Sequence, residues 1–181
     1  QDVLKVDLKA LIAEEFPGMP VAVCANLPYY ITSPILMRLL ESRLPVTGIT
    51  VMVQKEAAIR LCARPGTREC GAVSLAVQYY AEAETLFSVS RGSFLPAPNV
   101  DSAVIRLTVR KTPPCAVRNE ALLFRLIRSA FGQRRKMIRN SLKSVFGDFG
   151  GAEHPFFTRR AEQLSVADFV ELTNWVAAHR Q

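Results

Sequence analysis

The apolar run Val21-Ala22-Val23-Cys24-Ala25 ends in Asn26-Leu27-Pro28-Tyr29-Tyr30. A short apolar run closed by a turn signal reads as a buried strand, here over residues 21–27. α/β folds place ligands beyond the carboxyl ends of such strands. Two readings follow. The stretch is a tight strand-to-helix connection with buried tyrosines, or it is a binding site.

The periodicity elsewhere predicts an α/β part followed by an all-helical part. Residues 3–16 carry helical spacing at Leu8, Leu11, Ile12 and Phe16, and Pro17-Gly18 ends it. Thr32-Ser33-Pro34 predicts a helix start with a hydroxyl cap, and Ile35, Leu36, Leu39 and Leu40 its buried face. Residues 48–54 are β-branched and predict a strand, 55–64 and 72–82 predict helices, and 86–90 and 103–109 predict strands. Phe94-Leu95-Pro96-Ala97-Pro98 is too rich in proline for a central strand. Lys111-Thr112-Pro113-Pro114 reads as a linker, which divides the chain into residues 1–112 and 113–181. Beyond it, 120–131, 134–146 and 166–178 predict helices, the last opened by a Ser165/Asp168 capping box with a Leu164/Phe169 staple. Tyr79, Tyr80, His154 and Trp175 read as structural.

With 181 residues, the chain has room for one domain and a small appendage. The net charge of +7 points to a polyanionic partner. No apolar run approaches the ~18 residues of a membrane span, and no signal segment opens the chain, so a soluble cytoplasmic protein is expected. Cys24 and Cys62 sit in apolar stretches and read as buried free thiols. No cysteine or histidine spacing composes a metal site, so no metal is expected.

An adenine exocyclic amine is a poor nucleophile, because its lone pair is delocalised into the ring. A protein that accepts both N–H hydrogens draws the nitrogen toward tetrahedral geometry and aims the lone pair outward. Asn26 offers a side-chain oxygen for this. Leu27 offers a backbone carbonyl held by Pro28, whose φ is fixed and which keeps the preceding residue extended. Tyr29 can stack on an unpaired or flipped base.

The run NLPYYITSPIL at 26–36 resembles the small-subunit (16S) ribosomal RNA adenine N6-dimethyltransferase family of the bacterial KsgA type. VQKEAAIRL at 53–61, FLPAPNVDSAV at 94–104, AFGQRRK at 130–136 and RAEQLS at 160–165 agree with it, in order and nearly end to end. The resemblance implies a Rossmann-like class I methyltransferase domain followed by a small helical domain. It implies S-adenosylmethionine as cofactor and dimethylation of two adjacent adenines in small-subunit rRNA, within the pre-30S particle, by a monomer. By position it implies that Asn26 holds the amine beside the cofactor's methyl end and that Tyr29 stacks on the base. Phe94 would close the pocket, and Asp2 would contact the cofactor's adenine. The family's Gly-rich loop and ribose-binding acid have no counterpart in these residues, and the first strands of the domain are expected to be missing.

From Ala121 to Gly147 there is no acidic residue, while Arg125, Arg128, Arg134, Arg135, Lys136, Arg139 and Lys143 stand within it. This reads as an RNA phosphate track, with Arg134, Arg135, Lys136, Arg139 and the strand-end Lys55 as the expected contacts. Two rivals stay open. One is a non-catalytic rRNA-binding or assembly factor, and the other is the related methyltransferase of 23S rRNA.

Overall fold

The computed structural model describes residues 2–179. The chain divides into two compact units. One is the stretch up to Cys62 together with Tyr80–Thr112, and the other is Ala63–Tyr79 with Pro113 onward. Residues 63–79, which a division at 112 leaves with the sheet, thus pack with the helical unit.

The first unit is built on a four-stranded sheet: β1 (Val21–Asn26), β2 (Val46–Gln54), β3 (Ala81–Val89) and β4 (Ser102–Val109), in the order β1-β2-β4-β3. β1 and β2 run parallel and are joined by helix α2 (Thr32–Glu41), the kind of crossover a parallel pair requires. β4 inserts antiparallel between β2 and β3. The core follows the pattern of the chain. Ile49, Val51 and Val53 of β2 and Ile105 and Leu107 of β4 are buried, as are Ile35, Leu36, Leu39 and Leu40 on the inner face of α2.

Several local expectations are corrected. Ala22 and Cys24 of β1 are exposed, and Cys62 is half-buried. Helix α1 spans only Leu8–Glu15, with the Asp7 carboxylate accepting the N–H groups of Lys9 and Ala10, and of its apolar face only Ile12 is buried. Thr32 does not cap α2. It is the first helical residue, and its hydroxyl donates back to the Pro28 carbonyl at 3.2 Å. Helix α3 spans Lys55–Leu61 and α4 spans Ala72–Tyr80. The segment Ala81-Glu82-Ala83-Glu84 leaves the helix early and pairs along β4, so β3 begins five residues before its expected start. Pairing with a central strand outweighs the helical preference of alanine and glutamate.

In the second unit, α4 residues 72–79 stand with α5 (Glu120–Gly132), α6 (Ile138–Phe146) and α7 (Val166–His179). Asn119 caps α5 by accepting the Leu122 N–H at 2.9 Å. Ser165 and Asp168 form the expected reciprocal cap of α7, at 3.2 and 2.8 Å, and Leu164 and Phe169 beside it are fully buried. α6 starts later than its periodicity suggests. The chain at Met137 bridges Arg160, and the Ile138 N–H goes to the Arg159 carbonyl at 2.8 Å. An aromatic group of His154, Phe149, Phe157 and Trp175 closes this core, and Tyr79 meets Phe124 edge-on.

Candidate active site

The end of β1 sets the geometry. The Leu27 N–H still donates to Met52 of β2, at 3.2 Å, so Asn26 and Leu27 are held at the sheet. Leu27 is buried and acts as the anchor. Pro28 follows at φ −59° and ψ 129°, and its carbonyl takes both the Ile31 N–H and the Thr32 hydroxyl. The chain therefore turns at once into Tyr29–Ile31 and α2. Among the described residues, neither the Asn26 side-chain amide nor the Leu27 carbonyl has a hydrogen-bond partner. Two acceptors are thus presented at the carboxyl end of a strand with nothing in the fold using them.

Tyr29 is half-buried, and its hydroxyl lies 2.6 Å from that of Ser102, the first residue of β4. Ser102 is fully buried, so the hydrogen bond fixes the ring. Tyr30 is 85 % exposed. A connection that merely buried both tyrosines is therefore not what forms. Phe94 follows the turn Arg91–Ser93 and precedes the cis Leu95–Pro96 bond. Asn26, Leu27, Pro28, Tyr29, Phe94, Pro96 and Pro98 together line a cavity of about 340 Å³, within the ~300–1,000 Å³ range of small-molecule sites. Its chemistry is two free acceptors, two aromatic rings and proline walls, suited to a flat, amine-bearing, aromatic ligand.

The five residues assigned to the target base thus come together. Asp2 does not line that cavity. Its carboxylate accepts the Leu4 N–H at 3.0 Å and faces Lys5 at 3.9 Å, closing a local turn. Lys55 lines a second cavity of about 420 Å³ with Arg91 and Asp101.

The basic stretch sorts into two groups. Arg134 pairs with Glu162 at 2.7 Å and also donates to the Arg68 carbonyl, Arg139 pairs with Glu153, and Lys143 pairs with Asp148 at 2.7 Å. Hydrogen bonding and the charge of Lys143 hold the Asp148 carboxyl below its ordinary value. Arg125 lies over the Phe146 ring. Three of the seven cations of this stretch are thus compensated by acids that follow it in the chain. Arg128, Arg135 and Lys136 remain exposed and without an ion pair among the described residues.

Two further residues stand beside these cavities. Ser102, which lies inside the run FLPAPNVDSAV at 94–104, is the partner of Tyr29. Arg91 is the second cation near Lys55, and it lies in a segment whose sequence carries no motif. No group of three His, Cys, Asp or Glu among the described residues can hold a metal ion. No helix among them is long and apolar enough to cross a membrane.

The family model described as ribosomal RNA adenine dimethylase matches residues 1–178. The chain is 48% identical over 185 residues to ribosomal RNA small subunit methyltransferase A of Geobacillus sp. strain WCH70, covering 96% of this chain and 64% of that protein. It is 45% identical over 188 residues to the protein of the same name from Alkaliphilus metalliredigens, covering 99% of this chain and 66% of that one. The chain therefore spans about two thirds of the length of the curated relatives it matches. A dimethyladenosine transferase from Plasmodium falciparum has a similar fold, with TM-score 0.72 and 23% identity over 92% of this chain and 70% of that one. The 23S rRNA methyltransferase ErmE shares the fold more distantly, with TM-score 0.59 and 24% identity over 94% of this chain and 70% of that one.

Proposed function

Because the chain belongs to the ribosomal RNA adenine dimethylase family, we propose that it forms the adenine-binding and RNA-binding part of an enzyme that dimethylates N6 of two adjacent adenines in small-subunit rRNA. The pre-30S particle in the cytoplasm is the substrate assigned to it. The observation that carries the reading is the cavity that Asn26 and Leu27, with two unused acceptors, line together with Tyr29 and Phe94.

In this reading, an unpaired adenine enters between the rings of Tyr29 and Phe94. The Asn26 side-chain oxygen accepts one amine hydrogen and the Leu27 carbonyl accepts the other. The Leu27 carbonyl is fixed before substrate arrives by the bond of its own N–H to Met52, and Asn26 stands at the end of β1 with its side chain exposed and free to turn onto the amine. A preorganised dipole acts where charge develops and needs no reorganisation during reaction. The two acceptors together favour a pyramidal N6 whose lone pair points away from the ring. S-adenosylmethionine, when bound, supplies an electrophilic methyl group. The unpartnered amide of Asn26 suits a place beside that group's methyl end. Asp2, whose carboxylate is taken up by Leu4 and Lys5, has to release this local turn to serve the cofactor's adenine. The methylated nitrogen carries a positive charge and is acidic enough to lose its proton to water, so no side-chain base is required. Arg128, Arg135 and Lys136 supply phosphate contacts on the helical unit.

Transfer of labelled methyl groups to small-subunit particles, followed by nucleoside analysis, tests the reading. N6,N6-dimethyladenosine at two neighbouring positions is expected. Particle binding with no methyl incorporation by the intact native protein would favour a non-catalytic assembly factor instead.

A further inference from the structure

The loop between β3 and β4 walls two cavities. Phe94, Pro96 and Pro98 face the cavity assigned to the target adenine. The next residues, Asn99, Val100 and Asp101, line the second cavity with Arg91, Gln54, Lys55, Glu56 and Ile59. The two are linked at the sheet as well. The first opens at the end of β1 and the second at the end of β2, its parallel neighbour, and neighbouring strands lie only ~5 Å apart. A polynucleotide whose base occupies the first cavity runs its chain across this shared rim.

The charges of the second cavity are unevenly matched. Glu56 is held by Arg60, one turn along α3. The Asp101 carboxylate accepts the Arg91 backbone N–H at 3.0 Å, and the Asp101 carbonyl accepts that of Lys55 at 3.0 Å. Both acids are thus engaged. The Lys55 ammonium and the Arg91 guanidinium have no carboxylate partner among the described residues, and the guanidinium reaches only the Asn99 carbonyl, at 3.5 Å. Neither cation is in an ion pair, and Ile59 and Val100, which are 47 % and 43 % exposed, add apolar surface to the same lining. The amides of Gln54 and Asn99 complete a lining suited to a nucleotide's base and phosphate together.

Resting on the adenine reading of the first cavity, we propose that the Lys55–Arg91 cavity is a flanking-nucleotide subsite. Lys55 and Arg91 hold the phosphodiester next to the target adenosine, and the Ile59–Val100 surface receives the neighbouring base. The subsite then sets which adenines are presented: those followed or preceded by a nucleotide that seats there.

The test uses the intact native protein and short oligoribonucleotides carrying the target adenines. Each phosphate near the target is replaced in turn by an uncharged methylphosphonate, and binding is read by fluorescence anisotropy. In the wild type, one linkage beside the target adenosine should stand out, costing about tenfold in affinity, the scale of a charge-assisted hydrogen bond. In Lys55→Gln/Arg91→Gln, whose altered side chains are exposed, the same replacement should cost less than about twofold, because the cations that read that phosphate are already absent. Thermal melting confirms that the variant is folded. Equal losses in wild type and variant at every linkage, or no sensitive linkage in the wild type, would overturn the subsite. Methyl transfer to the unsubstituted RNA is measured alongside, and its absence in the wild type would count against the adenine reading, while the linkage scan still decides the subsite.

Discussion

The Tyr29 hydroxyl lies 2.6 Å from the Ser102 hydroxyl, which ties the turn after β1 to the first residue of β4. The bond orients a ring that lines the same cavity as Phe94. Tyr29→Phe keeps the ring but strands a fully buried serine hydroxyl, which should cost about 1–3 kcal/mol. Ser102→Ala leaves the half-buried tyrosine hydroxyl able to find water and should cost less. The double variant should be no less stable than Tyr29→Phe alone, because both partners are then gone. Chemical denaturation of the four proteins measures this, and strictly additive losses would show that the hydroxyls do not interact.

Asn26 carries the chemistry in the proposed mechanism, and its side chain supports nothing else in the fold. Asn26→Ala should therefore leave stability near wild type. It should lower turnover by about 2.7–4 kcal/mol, by analogy with removal of one oxyanion-hole donor. Single-turnover methyl transfer reads the loss, and a rate within threefold of wild type would remove Asn26 from its role.

The basic stretch should split in the way its ion pairs do. Arg134→Gln loses the bonds to Glu162 and the Arg68 carbonyl. It should lower stability by about 1 kcal/mol, given its partial exposure, and change the salt dependence of RNA binding little. Arg135→Gln/Lys136→Gln should do the reverse. The melting temperature holds, and the log–log salt slope drops by about one for each phosphate that the variant no longer neutralises. A salt slope unchanged in the double variant would leave these side chains as a solvated surface.

The two kinds of basic residue look alike in sequence. The acids that neutralise Arg134, Arg139 and Lys143 come from Glu162, Glu153 and Asp148, supplied after the stretch ends. The same limit explains the other differences. The alternation in β4 and the inner face of α2 are local patterns, and both were legible. The start of β3 was not, because Ala81-Glu82-Ala83-Glu84 has helical preference and becomes a strand only by pairing with residues 106–109. Cys24 lies in an apolar run, yet it is exposed in the fold. At the site, the chemistry of amine acceptance points to Asn26, Leu27 and Tyr29, while Phe94 is reached only through the family resemblance. Ser102 lies inside the 94–104 run, but its bond to Tyr29 depends on the fold, and no residue pattern announces Arg91.

His154 offers a pH test of the helical unit. Its imidazole is buried among Phe156, Phe157 and Trp175, and its Nδ1 accepts the Phe156 N–H at 3.2 Å. Burial pulls its pKa below the ordinary 6.5; Glu171, 3.6 Å from Nε2, opposes this, and His179 adds slightly to it. Protonation at Nδ1 would also set two N–H donors against each other. The folded state therefore binds this proton less readily than the unfolded chain. The resulting stability is complete above pH 6.5 and is lost as pH falls through the depressed folded value. Urea midpoints should thus decline from about pH 7.5 to about pH 5. His154→Asn keeps an acceptor for the Phe156 N–H but cannot titrate. It should be less stable at neutral pH, through lost ring packing, and show a shallower decline toward acid. An equally steep decline in the variant would place the acid sensitivity in other groups.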